Sequence, residues 1–278
     1  MIFDPSTKYG GWIDRVKGMI SVYELARLTG RTFQVHAGPT FPLDELVEPS
    51  TFDWRVRREA LHWNPFETGF HVSRDRWVQD FAALRSSRWK TMFIETNLDY
   101  LSRLHPHLDE HAIQVMWGER YRALFKLSDS LERDVRALVD SSAIAVHGRF
   151  TSLLGDFKDV TSKTLENARR HELLDSCLAR VEEIARTHAT RRIIVFSDSI
   201  TFLRAAEKVA TNVVTIPGQP THLDHESRVK DSLRKTLVDF NVMVRCEQIV
   251  QLRLGEMYDS NFSRYASYVR NVPFVQLK

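Results

Sequence analysis

A histidine and an arginine stand two residues apart at the end of an apolar run: residues 142–150 read SAIAVHGRF, with Ala143, Ile144, Ala145 and Val146 leading into His147, Gly148 and Arg149. Such a run suits a short strand buried on both faces. In open α/β sheets the carboxyl ends of parallel strands turn outward into a crevice, so both side chains would face a ligand there. A guanidinium offers paired donors in a planar fork and stays charged at any working pH, which suits a phosphate. The imidazole can read a polar ring or hydroxyl beside it. An ordinary strand end with two solvated side chains would carry the same letters, and the tripeptide alone does not separate the two readings.

A second candidate lies at the amino end. Gly10 and Gly11 precede Trp12, Ile13, Asp14 and Arg15, and apolar residues then recur at helical spacing up to Gly30. A glycine turn that opens a long helix exposes free backbone N–H groups at the positive end of the helix, which favours an anionic or polar ligand. Asp14 would be held at this junction, and it serves equally as a helix cap. Ser197, Asp198 and Ser199 end another apolar run, Arg192–Phe196; capping of the next helix and contact with a ligand are both open to Asp198 and Ser199.

These residues need a scaffold, and the chain of 278 residues is long enough for one large domain or two α/β domains. Hydrophobic residues make up 43% and charged residues 27%, the balance of a globular protein with a real core. A formal charge of +3 is too small to argue for nucleic acid, so any anion site must be local. Arg228, Lys230, Arg234, Lys235 and Arg245 alternate with Asp231 and Asp239 and read as a solvated helix face. Cys177 and Cys246 form neither a metal-ligand cluster nor a disulfide framework, and read as reduced core residues. No bound metal is expected. No basic leader with an apolar run opens the chain, and no window approaches the roughly 18 apolar residues of a membrane span. The expectation is a cytoplasmic protein.

Strand patterns fall at Thr32–His36, Lys90–Glu95, Ala143–Val146, Arg192–Phe196, Asn212–Ile216 and Gln248–Leu252. Helix patterns lie between them, near 109–126, 128–140, 165–187, 200–210 and 224–246, with a last helix at Arg264–Arg270. Residues 55–90 resist assignment. Trp54, Trp63, Phe66, Phe70, Trp77 and Phe81 are aromatic enough to line a sugar face, although scattered aromatics are more often core. The alternation of strands and helices predicts a parallel sheet in a Rossmann-like domain over 141–278, and a smaller α/β domain over 1–140 facing it across a cleft.

Several stretches, in order, resemble one family. GGWIDRVKGMISVYELARLTGRTF is similar to the glycine loop and first helix of the fucosyltransferase superfamily of peptide O-fucosyltransferases, core α-1,6-fucosyltransferases and NodZ-like enzymes. His147-Gly148-Arg149 resembles its His-x-Arg motif, Ser197-Asp198-Ser199 its second motif, Asp239 its third motif region, and Ser260-Asn261-Phe262-Ser263-Arg264 its Ser-x-Phe-x-Arg loop. The resemblance implies a GT-B-like fold and an inverting, metal-independent glycosyltransferase that moves a sugar from a nucleotide sugar to a hydroxyl of an oligosaccharide or glycoconjugate.

It further implies that Arg149 binds the donor β-phosphate and that Asp14 is the general base. His147 and Asp239 would contact base or ribose, Ser260, Asn261, Phe262 and Ser263 would wrap the pyrophosphate, and Gly11, Trp12, Ile13 and Asp198 would complete the donor site. Ile13, Gly148 and Phe150 depart from the usual pattern of glycine, an aliphatic residue and threonine. The resemblance implies GDP-fucose as the default donor, and these departures keep another nucleotide sugar such as UDP-xylose as the alternative. A module that keeps the fold and binds nucleotide or carbohydrate without turnover is the rival from another class.

Overall fold

The computed structural model describes residues 1–5, 10–36, 41–56, 61, 64–73, 81–157, 163–218 and 229–278. Trp63, Trp77, Arg228 and the first residues of the helix expected at 224–246 lie outside them. The chain divides into two compact units, Met1–Ser130 and Leu131–Lys278. The sequence division at 140/141 puts α4 (Asp129–Leu138) in the first unit, whereas nearly all of it belongs to the second. α4 buries Leu131 and Val135, and Arg234 and Arg245, on α7 (Val229–Arg245), reach its Asp134 and Glu132. Those two arginines are therefore paired within the second unit, Arg245 more deeply than Arg234.

In the first unit β1 (Ile2–Phe3), β2 (Gln34–Val35), β4 (Thr68–Ser73) and β5 (Thr91–Thr96) form a parallel sheet of order β2-β1-β5-β4. β3 (Val47–Pro49) and β6 (Phe125–Leu127) make a small antiparallel pair. The long α1 (Trp12–Leu28) follows β1 and is buried almost all round, covering Trp12, Ile13, Val16, Met19, Ile20, Val22, Leu25 and Ala26 together with Arg15, Ser21 and Glu24. It can lie against the sheet because residue 18 is glycine: a Cβ there would stand 1.9 Å from the Thr96 carbonyl oxygen. Gly30 ends the helix with φ of +64°, a conformation that glycine adopts without a Cβ penalty. α2 (Leu101–Leu104) and α3 (Glu110–Leu124) complete the unit, with Asp109 capping α3 by accepting from the Ala112 amide at 2.8 Å.

The second unit is built on a five-stranded parallel sheet of order β11-β10-β7-β8-β9, formed by β7 (Ile144–Gly148), β8 (Ile193–Ser197), β9 (Val213–Thr215), β10 (Gln248–Leu252) and β11 (Phe274–Leu277). All five residues of β7 are buried, as a central strand covered on both faces requires. α5 (Asn167–Thr187) packs with α6 (Ile200–Ala206), and α7 with α8 (Asn261–Arg270). Leu173, Cys177, Val181 and Phe202 join Ile144, Val146 and Val195 in one core cluster. Both cysteines are buried free thiols. From β7 the chain builds β8 and β9 on one side, then returns to add β10 and β11 on the other. The strand order thus reverses between β7 and β10, and at such a switch point the outgoing loops part to leave a crevice.

Candidate active site

The stretch His147–Arg149 lies at that reversal. His147 sits in register with Gln251 of β10 and Phe196 of β8, and Gly148 with Leu252 and Ser197. The imidazole is buried, and its Nδ1 lies 2.9 Å from the Ser263 hydroxyl of α8, with the Phe262 ring 5.8 Å away. Burial, with the Arg149 guanidinium adding to it, pushes His147 down to about 3, so the ring is neutral throughout the physiological range. Gly148 is set by packing: an added Cβ would stand 3.2 Å from Met257 Cε and 3.3 Å from Phe150 Cε2.

Arg149 is the first of the three to reach solvent, with its side chain 24% exposed. Its Nε lies 3.2 Å from Asp198 Oδ2, and its Cζ sits 5.0 Å above the Phe157 ring. Asp198, at the end of β8, is buried and accepts from the amides of Phe150 at 2.8 Å and Thr151 at 2.7 Å. Burial pushes its carboxyl up, against the pull of Arg149 and these amides. Thr151 has φ of +55°, a region that costs a β-branched residue about 1–3 kcal/mol and persists only where neighbours fix it. Ser199 resolves as the cap of α6, accepting from the Phe202 amide at 3.1 Å and donating to Asp156 at 2.8 Å.

The loop from β10 to α8 is braced from behind. Gln251, fully buried, donates to the Ser260 carbonyl at 2.8 Å and accepts from Gln276 of β11 at 2.9 Å. Gln276 also donates to Asp259, which pairs with Arg253 and Arg264. α8 begins three residues before the Arg264 start expected from the sequence, because Ser260 caps it by accepting from the Phe262 amide at 3.2 Å. The Ser260 and Ser263 hydroxyls are thus committed within the fold, while Asn261 and Phe262 are half-buried. Asp239 of α7 is bound by Lys235 at 2.6 and 2.7 Å through both carboxylate oxygens. Burial pushes its carboxyl up, opposed by that ammonium.

The first unit holds the remaining candidates. Trp12 and Ile13 are core side chains, Trp12 lying against Phe41 and Phe125. Gly11 is the N-cap of α1, and a Cβ there would meet nothing within 4 Å. Asp14 is in the first turn, where a carboxylate complements the helix dipole. It pairs with Lys17 at 2.7 Å and folds back over Gly10, whose φ is +88°. Of the aromatics, Trp54 and Phe81 are core, whereas Phe66 and Phe70 are exposed.

The structure therefore brings His147, Arg149, Asp198, Phe262 and Ser263 together at one sheet end, while Gly11, Trp12, Ile13 and Asp14 gather at the start of α1. Sequence reading missed Phe157 beneath Arg149 and the brace of Gln251, Asp259 and Gln276. Gln251 carried a signal, since a lone amide inside an apolar strand must find buried partners. Among the described residues no three His, Cys, Asp or Glu side chains are grouped to hold a metal ion, and no helix is long and apolar enough to cross a membrane.

No protein-family model and no curated protein matches the sequence. Solved structures do match. NodZ α-1,6-fucosyltransferase soaked with GDP-fucose superposes with a TM-score of 0.62 at 16% identity, over 100% of this chain and 94% of that one. Arabidopsis thaliana FUT1, an R284K mutant in complex with GDP, gives 0.62 at 13% identity, over 99% of this chain and 69% of that one. POFUT1 in complex with GDP-fucose gives 0.59 at 11% identity, over 99% and 97%. The expected fold is thereby established: this chain shares, along nearly its whole length, the GT-B architecture of these three fucosyltransferases.

Proposed function

We propose that this protein is an inverting glycosyltransferase that works without a metal ion, taking a sugar from a nucleotide-sugar donor, GDP-fucose by likeness to its structural neighbours, to a glycan hydroxyl. One observation carries the reading. Arg149 projects from the strand end at the switch point of a parallel sheet, its guanidinium oriented by a buried carboxylate and an aromatic face. When the bond between the anomeric carbon and the phosphate oxygen breaks, both electrons leave with the diphosphate, and a fixed cation stabilises that charge as it develops. The acceptor oxygen forms the new bond on the opposite face of the sugar, and its proton passes to a base, the role assigned to Asp14. Neutral His147 gives or accepts a hydrogen bond and does not exchange protons with the substrate.

Asp239 bears on the donor. Its carboxylate is held at both oxygens by Lys235, so reading a base would use the acceptor capacity that this ammonium leaves, and UDP-xylose is kept as the second donor. Nucleotide release from GDP-fucose and UDP-xylose in EDTA, with a glycan panel as acceptor, tests the proposal. Turnover undiminished by EDTA and a product of inverted anomeric configuration are expected. Dependence on added Mn²⁺, or retention of configuration, overturns the corresponding part. Nucleotide binding with no transfer to any acceptor favours the non-catalytic module.

A further inference from the structure

We infer that Asp198 is a positioning residue: it fixes the guanidinium of Arg149 and the turn behind it, and it does not touch the donor. This inference rests on the reading of Arg149 as the diphosphate-binding group. A negative charge beside an anion site opposes the ligand unless it has other work, and here its work is visible. The Asp198 side chain is 3% exposed and both carboxylate oxygens are used inside the protein, Oδ1 by the Phe150 amide and Oδ2 by the Thr151 amide and Arg149 Nε. The Ser197 hydroxyl adds a long contact to Oδ1 at 3.4 Å. Gripping Nε while Cζ rests on Phe157 fixes the plane of the guanidinium, and a planar fork binds phosphate well only when its plane is set. The same carboxylate holds the positive φ of Thr151, two residues beyond Arg149.

The sign of one substitution separates this from its rivals. Asp198→Asn keeps the shape and removes a negative charge near the diphosphate, so electrostatics alone predicts tighter nucleotide binding. Positioning predicts the reverse, a loss of about tenfold to a hundredfold, the scale seen when the group orienting a ligand-binding side chain is removed. The experiment measures binding of GDP and of UDP to the wild type, Asp198→Asn, Arg149→Ala and the double variant, by calorimetry, with far-UV circular dichroism as a check of folding. The expected result is that Asp198→Asn weakens binding in the wild type and changes nothing further in the Arg149→Ala background. Equal losses in both backgrounds, or tighter binding by Asp198→Asn, overturn the inference while leaving the proposed function standing. Failure of both nucleotides to bind the wild type overturns the proposed function and this inference together. Should Asp198→Asn not fold, the Arg149 Nε–H resonance of the wild type, assigned by its loss in Arg149→Lys, decides: slow exchange with solvent, with and without GDP, is expected, and rapid exchange in the free protein overturns the inference.

Discussion

Burying a neutral imidazole ties the stability of the second unit to pH. Burial, with Arg149 beside it, pushes His147 in the folded protein from an ordinary value of 6.5 down to about 3. Below pH 6.5 the unfolded chain takes up a proton there that the folded chain refuses, so stability falls as pH falls, over the whole window from 6.5 down to 3. Integrating that difference from pH 7 to pH 5 gives a loss of about 2 kcal/mol from this one residue. Asp198 and Asp239, whose carboxyls are pushed up by burial, act in the opposite sense, and His71, lowered by burial in the first unit, in the same sense. All three contribute equally to the wild type and to His147→Gln, so comparing the two proteins isolates His147. All six tryptophans fall in Met1–Ser130, so the second unit is best followed by hydrogen exchange of β7 peptides across a urea series at each pH. The pH 7 to pH 5 loss should be smaller in His147→Gln by about 2 kcal/mol. Parallel pH curves for the two proteins, or an imidazole resonance of His147 with a midpoint near 6.5, would refute the reasoning.

Two further outcomes are expected. Arg149→Ala should lower kcat by about a hundredfold to a thousandfold, the usual cost of removing one preorganised donor to a developing charge, read by nucleotide release; turnover at the wild-type rate would contradict its role. In the first unit Glu24 is 2% exposed and meets His105 at 2.8 Å, Arg120 at 2.5 Å and Arg27 at 3.2 Å. Burial raises its carboxyl, and Arg120, His105 and Arg27 more than offset this, leaving it below the usual glutamate range. Glu24→Ala takes from Arg120 and from the buried His105 ring their shared carboxylate and should destabilise the unit by about 3 kcal/mol, measured by tryptophan fluorescence in urea; a loss under about 1 kcal/mol would mean that the network is solvated.

The sequence made some parts of this structure legible and hid others for physical reasons. β7, β8 and β10 are apolar runs ended by polar residues, and α5 and α7 carry a clear apolar face, so the doubly wound second unit was readable. β1 has only two residues, too few for any period, and β4 lies among scattered aromatics whose burial only the fold decides: Phe81 is core and Phe66 is 90% exposed. The partners of α4 include arginines about a hundred positions away, which no local pattern announces. At the site, His147 and Arg149 announced themselves by sitting at a strand end. Asp198 could be placed but not interpreted, because capping, ligand contact and bracing use the same side chain. Trp12 and Ile13 looked like part of a ligand loop, and only the packing of α1 showed that they face the core.

The outermost strand of the second sheet has an influence beyond its own pairing. Gln276 clasps Gln251 inside the sheet and Asp259 in the turn ahead of α8, so the path of that turn is inherited from the sheet margin. Changes along β11, in a strand that supplies none of the candidate contacts, can therefore shift Asn261 and Phe262, which makes the periphery of the protein a remote adjuster of what its centre accommodates.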